Sequence, residues 1–131
     1  MMTLKPIYEL PVRSSRFGDV GFHNDILYYD YMRDGVARSS GIRFDRVPAY
    51  RFRTERCVEL WQQDARDILS EVEESEWVEE IRADTDESYR DRWAMHHYVI
   101  NLTHVGTFEF IAESWEALPE EEGAWPEITA D

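Results

Sequence analysis

Residues 94–115 contain two neighbouring runs of β-forming residues, and this segment constrains the fold more than any other part of the chain. The runs 94–103 and 107–112 are rich in β-branched and aromatic side chains, as strands usually are. Between them lies Val105-Gly106, and Gly106 can take the positive φ that a two-residue turn requires. The pattern therefore predicts a central β-hairpin in which Ile100 lies opposite Ile111.

This predicted register divides the side chains of the hairpin between two faces, because side chains alternate along a strand. The face expected to join the core carries Met95, His97, Val99, Asn101, Phe108, Phe110 and Ala112. The other face carries His96, Tyr98, Ile100, Leu102, Glu109, Ile111, Glu113 and Trp115. Carboxylates among aliphatic side chains are typical of a half-covered sheet face or of a pocket floor, so the second face is the candidate for chemistry.

The remaining chain predicts an α+β fold with a mostly antiparallel sheet. Extended segments are expected at 25–32 and within 36–54, where apolar and polar residues alternate. One main amphipathic helix is expected at about 55–74, packed on one face of the sheet, and a short helix from Ser75 to Arg82. The apolar positions of the main helix recur at helical spacing: Val58, Trp61, Ala65, Ile68, Leu69 and Val72. Residues 1–131 are expected to form a single domain with irregular segments at about 1–20 and 117–131.

Composition restricts the classes of partner and the compartment. The formal net charge of the 131 residues is −14, which disfavours binding to nucleic acid or to an anionic membrane. Cys57 is the only cysteine, so no intramolecular disulfide is possible and a cytoplasmic location is expected. The N-terminal residues lack the apolar core of a signal peptide, and no apolar run approaches the roughly 20 residues that span a bilayer.

The distribution of charge along the chain is its most unusual feature. Arginines cluster in one segment: Arg33, Arg38, Arg43, Arg46, Arg51, Arg53 and Arg56. Acidic residues cluster in the next segment, about 71–91, in which Arg82 and Arg90 are the only basic residues. Either the two groups neutralise each other, or the acidic segment is a surface that docks a basic protein. The residues predicted to bind such a partner are Glu73, Glu76, Trp77, Glu79, Glu80 and Asp84, with Trp77 as an apolar anchor.

A small enzyme or small-molecule binder that uses the aromatic sheet is the second hypothesis. Weak catalytic candidates are His96, His97, Tyr98, Glu109 and Glu113, and the tyrosines Tyr29 and Tyr31 extend the same kind of surface. A carboxylate against aliphatic residues can have a raised pKa and act as a general base. The chain has no metal-ligand spacing and no phosphate-loop or dinucleotide motif, so neither a metal nor a cofactor is expected.

In size, acidity and α+β character the chain resembles the small acidic immunity proteins that neutralise basic bacterial toxins. The resemblance is one of general character and assigns no role to any single residue. The leading hypothesis is therefore a non-enzymatic, acidic protein-binding module, with an inhibitor or immunity-type factor as its specific form. The third hypothesis is a subunit of a homodimer or of a larger assembly, in which exposed sheet aromatics are buried against another chain.

Overall fold

A computed structural model describes residues 3–86 and 94–123, and within these ranges the chain forms ten strands and two α-helices. The strands are β1 (Thr3–Glu9), β2 (Phe17–His23), β3 (Ile26–Arg33), β4 (Val36–Asp45), β5 (Ala49–Thr54), β6 (Ile68–Glu73), β7 (His96–Leu102), β8 (Gly106–Ala112), β9 (Ser114–Ala117) and β10 (Glu121–Glu122). The helices are α1 (Leu60–Gln63) and α2 (Glu76–Asp84), and short 3₁₀ turns lie at Ser14–Arg16 and Glu55–Cys57.

The strands form two antiparallel sheets, which fits the predicted α+β fold with mostly antiparallel strands. The first sheet has the order β1-β6-β7-β8-β5, and the second has the order β10-β4-β3-β2 with β9 also paired to β4. The predicted extended segment 25–32 corresponds to β3, and 36–54 corresponds to β4 and β5. The hairpin β7–β8 lies in the middle of the first sheet, as the sequence predicts.

The first sheet is covered on both faces. On one face Ile100 and Phe110 pack with Tyr29 and Phe44 of the second sheet to form the main hydrophobic core. Ring stacking contributes to this core, since the centroids of Phe44 and Phe110 are 4.2 Å apart. On the opposite face α1 and α2 lie over β7 and close two smaller apolar clusters. The chain is therefore layered as sheet, sheet and helices, and the central strands β7 and β8 of the middle layer are buried on both sides.

The predicted main helix at about 55–74 is replaced by a 3₁₀ turn, the four-residue helix α1 and the strand β6. Leu69 contributes to the core between the sheets, whereas Val72 lies in a cluster beneath the helices. A strand buried on both faces loses the alternation of apolar and polar residues, so its pattern resembles that of a helix. Asp67 has a φ of 60°, which a continuous helix does not allow, and its N–H donates to the carbonyl oxygen of Asn101.

The register of the central hairpin also differs from the prediction. Ile100 lies opposite Phe108, and Tyr98 lies opposite Phe110, because the strands are joined by the three residues 103–105. His104 takes a positive φ of 66° in this turn, and Gly106 at the start of β8 also has a positive φ, 139°. The observed register differs from the predicted one by an odd number of residues. The side chain of Glu109 therefore lies on the same face of the sheet as that of His97, and the side chain of Tyr98 lies on the other face.

The ends of the chain contain more regular structure than expected. The segment 1–20, predicted to be irregular, contains β1, the 3₁₀ turn at Ser14–Arg16 and the start of β2. Of the segment 117–131, β10 pairs with β4, and residues 124–131 lie outside the described residues. The short predicted helix after Ser75 is confirmed as α2, and the Ser75 side chain accepts a hydrogen bond from the Val78 N–H at its N-terminus.

Gly106 sets the close approach of β5 to β8, and its replacement tests this geometry. Its φ is 139°, and a Cβ atom built on it would lie 2.1 Å from the carbonyl oxygen of Arg53. We expect G106A to lower the free energy of unfolding by about 3 kcal/mol or more, from backbone strain and steric overlap together. Urea unfolding followed by circular dichroism measures this change.

Gly35 provides the matched control for that substitution. It also has a positive φ, 77°, but nothing lies within 4 Å of the built Cβ. G35A should therefore cost only about 1 kcal/mol, from backbone strain alone. Equal effects of the two substitutions would contradict the close approach of β5 at Gly106.

Candidate functional site

A polar network centred on a buried carboxylate lies on the helix-covered face of the first sheet and includes two of the predicted catalytic candidates. Its members come from three strands, the helix α1 and the N-terminus of α2. We call it the Glu109 network, and it consists of Arg51, Gln62, Ser75, His97 and Glu109.

The Glu109 carboxylate is 1% exposed and receives four hydrogen bonds. Arg51, which lies directly opposite on β5, donates from Nε to Oε2 and from Nη2 to Oε1, each over 3.0 Å. Gln62 Nε2 donates to Oε2 over 2.8 Å, and His97 Nε2 lies 2.7 Å from Oε1. A carboxylate offers about four acceptor sites, so Glu109 has its hydrogen-bonding capacity filled within the fold.

The other ring nitrogen of His97 connects the network to α2. Nδ1 of His97 lies 2.7 Å from the Ser75 hydroxyl oxygen, which also accepts the Val78 N–H over 3.2 Å. The consistent arrangement is that Ser75 donates to Nδ1 while Nε2–H donates to Glu109. The ring of Trp77 contacts His97 edge to face, with centroids 5.1 Å apart, and Arg51 stacks on Trp77 at 4.0 Å.

Two opposing effects determine the pKa of Glu109. Burial by itself would raise the pKa, since it disfavours the charged form. The hydrogen bonds from His97 and Arg51 and the positive charge of Arg51 outweigh burial, so the pKa lies below its ordinary value of 4.5. Glu109 is therefore held as a carboxylate, which opposes the raised pKa that a general base in an apolar pocket would need.

The hydroxyl, imidazole and carboxylate groups of Ser75, His97 and Glu109 form the same chemical series as the triads of acyl-transfer enzymes. In such enzymes the hydroxyl must reach a substrate, but Ser75 is 5% exposed and His97 is 1% exposed. The Ser75 oxygen is also engaged with the first turn of α2. This arrangement links α1 and α2 to the sheet through hydrogen bonds. The Ser75 hydroxyl is not accessible to a substrate as a nucleophile.

The remaining catalytic candidates lie apart from this network. His96 and Tyr98 are on the opposite face of β7, where His96 Nδ1 lies 2.9 Å from an oxygen of Glu71. Burial, with a smaller effect of the Glu71 charge, raises the pKa of Tyr98 to about 12. Glu113 pairs with Arg46 over 3.3 Å. Tyr29 and Tyr31 are buried in the core between the sheets. The single face of His96, Tyr98, Glu109 and Glu113 that the sequence predicts is therefore not formed.

The arginine-rich segment does not neutralise the acidic segment within the part of the chain that is described. All of its arginines except Arg56 pair instead with acidic residues outside 71–91: Glu59, Glu109, Glu113, Glu116 and Glu120. Within residues 71–84, six exposed carboxylates form no ion pair with any described residue: Glu73, Glu74, Glu76, Glu79, Glu80 and Asp84. Residues 87–93 of the acidic segment lie outside the described residues. The turn before α2 and the outer side of α2 thus carry a dense negative charge.

A groove beside this acidic surface contains the exposed side chain of Leu60, a residue that the sequence analysis does not single out. It has a volume of about 980 Å³, with Val58, Leu60 and Trp61 among its apolar walls. Its carboxylate lining is Glu59, Glu73, Glu74 and Glu76. Leu60 is 83% exposed. Trp77, the predicted apolar anchor, is half-buried against His97 and Arg51 and helps to hold α2 to the sheet.

Two features were sought among residues 3–86 and 94–123: a cluster of metal ligands and a helix that could cross a bilayer. Within them no group of three or more histidine, cysteine, aspartate or glutamate side chains is placed to hold a metal ion. No helix in the same ranges is long and apolar enough to cross a bilayer. Comparison of the chain with protein-family models, curated proteins and solved structures finds no match.

The stabilising role of the Glu109 network is tested by E109Q. Because the pKa of Glu109 is lowered in the folded state, its contribution to stability is present above about pH 4.5 and is lost as the pH falls toward the lowered value. We expect E109Q to reduce the free energy of unfolding at pH 7 by about 3 kcal/mol, since Arg51 and Gln62 lose their anionic acceptor. Denaturant unfolding at several pH values should also show that E109Q loses less stability in acid than the unmodified protein does.

The control for this measurement is E116Q. Glu116 pairs with Arg43 over 3.7 Å, and both side chains are more than half exposed. Such pairs contribute about 0–1 kcal/mol, so E116Q should leave both the stability and its pH dependence nearly unchanged. A stable E109Q protein with an unaltered acid transition would refute the structural role given to the network.

Proposed function

We propose that this chain is an acidic protein-binding module whose docking surface is formed by α1, the turn between β6 and α2, and the outer side of α2. The observation that carries the proposal is the juxtaposition of a groove containing Leu60 and Trp61 with a set of unpaired carboxylates. We call this surface the acidic groove. Its occupant is a basic protein that presents lysine or arginine side chains beside an apolar residue.

The charge of the surface supports a basic partner. Glu73, Glu74 and Glu76 line the groove, and Glu79, Glu80 and Asp84 continue along α2 without ion pairs to described residues. Unpaired like charges on one surface repel each other, and the fold retains them although arginines elsewhere are paired. A basic partner relieves this repulsion, and the negative field accelerates its approach.

The apolar side chains of the groove supply binding energy that charge alone does not provide. Exposed ion pairs contribute little to affinity, whereas apolar side chains near the centre of an interface contribute most of the binding energy. Leu60 is 83% exposed, and Trp61 is half-buried with its indole N–H donated to the carboxylate of Glu59. The methylene stems of bound lysine or arginine side chains can lie on these residues while their charged ends reach the carboxylates.

An inhibitor or immunity-type factor for a basic protein is the specific form of this proposal. We place the module in the cytoplasm, because its only cysteine, Cys57, is an exposed free thiol and no disulfide can form within the chain. The hydrogen-bonding capacity of the Glu109 network is filled by contacts within the fold. This supports a binding role for the chain over a catalytic one.

The proposal is tested with a basic partner captured from host lysate on immobilised protein at low salt and identified by mass spectrometry. Its association with a variant carrying E73Q, E76Q, E79Q and E80Q is then measured by surface plasmon resonance. We expect the on-rate at low salt to fall at least about tenfold, because these carboxylates steer the encounter. At high salt the on-rates of the variant and the unmodified protein should converge.

The control variant carries E9Q, D19N, E121Q and E122Q. These four carboxylates are exposed and form no ion pair with described residues, and their replacement changes the net charge from −14 to −10, as in the test variant. The control should retain the on-rate within about twofold. Equal on-rates for the test variant and the control variant would contradict the assignment of the docking surface to the acidic groove. The substitution L60A tests the apolar contact separately, and we expect it to raise the off-rate.

A further inference from the structure

A second cavity, distant in sequence from the acidic groove, has the opposite charge. It has a volume of about 530 Å³ and lies where the connection between β1 and β2 meets the turn between β3 and β4. Three arginines line it, Arg13, Arg16 and Arg33, against one carboxylate, that of Asp34. A net positive charge of two in one cavity is unexpected in a chain whose net charge is −14. We call it the arginine cavity.

Two of its arginines are not used by the fold. Arg13 and Arg16 are exposed and form no ion pair with any described residue, whereas Arg38, Arg43 and Arg46 are each paired with a glutamate. The Ser15 side chain, which also lines the cavity, is exposed as well. The arginine cavity therefore offers guanidinium groups whose hydrogen bonds are not taken up by an ion pair with the described chain.

The segment that carries these arginines is held in place. Ser14 lies between them, is 3% exposed and donates from both its backbone N–H and its hydroxyl to Asp67. The Ser14 oxygen also accepts the Thr103 N–H over 2.7 Å. These bonds fix the backbone from which Arg13 and Arg16 project. The entropic cost of ordering this loop when a ligand binds is therefore small.

The third arginine is fixed more directly. Nη1 of Arg33 lies 3.0 Å from a carboxylate oxygen of Glu120, and its guanidinium carbon lies 5.6 Å from the centroid of the Tyr31 ring. These contacts hold the guanidinium of Arg33 at the cavity wall while Glu120 partly offsets its charge. Arg33 is therefore a positioned hydrogen-bond donor, and Arg13 and Arg16 supply the uncompensated charge.

From this arrangement we infer that the arginine cavity binds a small molecule bearing a phosphate group. Arginine pairs with phosphate through parallel N–H donors, and a phosphate monoester carries about −1.5 to −2 charges at neutral pH, which matches the cavity. Met32, 59% exposed, and Val12 provide an apolar wall for the body of the ligand. A long polyanion is disfavoured because the charge of −14 on the whole chain would repel its remaining phosphates.

The experiment is an NMR titration of the arginine Nε–Hε signals with inorganic phosphate, phenyl phosphate and sodium chloride at matched ionic strength. We expect saturable shifts of the signals of Arg13, Arg16 and Arg33 with both phosphates and not with chloride. Phenyl phosphate should bind more tightly than inorganic phosphate, because its ring can contact Met32. The double variant R13Q/R16Q should weaken binding by about tenfold or more.

The control is R56Q/R66Q, which removes two other exposed arginines that form no ion pair with described residues. It should keep the affinity for phenyl phosphate within about twofold. The inference is overturned if the unmodified protein shows no saturable shift, if chloride reproduces the shifts, or if both double variants lose binding equally. Tighter binding of a single-stranded DNA oligomer than of phenyl phosphate would overturn the assignment to a small molecule. The titration of the unmodified protein decides the question even if R13Q/R16Q does not fold.

Discussion

The burial of the Glu109 carboxylate is the constraint on which the helix-covered side of the molecule depends. A charge at a site 1% exposed is costly unless several donors surround it. The donors come from β5, α1 and β7, and through His97 the arrangement extends to Ser75 at the start of α2. The elements that form the acidic groove are thus positioned by a carboxylate buried within the fold.

The sequence predicts the elements that have one polar face, and among the strands buried on both faces it predicts those of the central hairpin but not β6. Strand β3 and helix α2 were predicted nearly to their ends, since α2 has a serine cap and exposed carboxylates. Strand β6 was interpreted as part of a helix because Leu69 and Val72 are buried on opposite faces of the same strand. The hairpin register differs from the prediction because the three residues 103–105 join the strands, in place of a two-residue turn at Val105-Gly106.

At the candidate sites, the sequence predicts single residues but not the distant residues that contact them. His97 and Glu109 were singled out, but their partners Ser75, Gln62 and Arg51 lie 22, 47 and 58 residues from them in sequence. No spacing rule connects such residues, because tertiary pairing alone brings them together. The exposed Leu60 had one signal in the sequence, which is that it falls outside the apolar repeat of the expected helix. The clustering of Arg13 and Arg16 with Arg33 had none.

The two faces of the middle sheet are held by different kinds of force, and this has a consequence for the dynamics of the chain. Stacked aromatic rings join the sheets, whereas the helices rest on small apolar clusters and on the Glu109 network. Polar contacts of this kind can open locally while a large apolar core stays closed. Amide hydrogens of α1 and α2 should therefore exchange through partial openings that leave the sandwich intact. The helix layer is then a separate cooperative unit, able to adjust its surface without unfolding the domain beneath it.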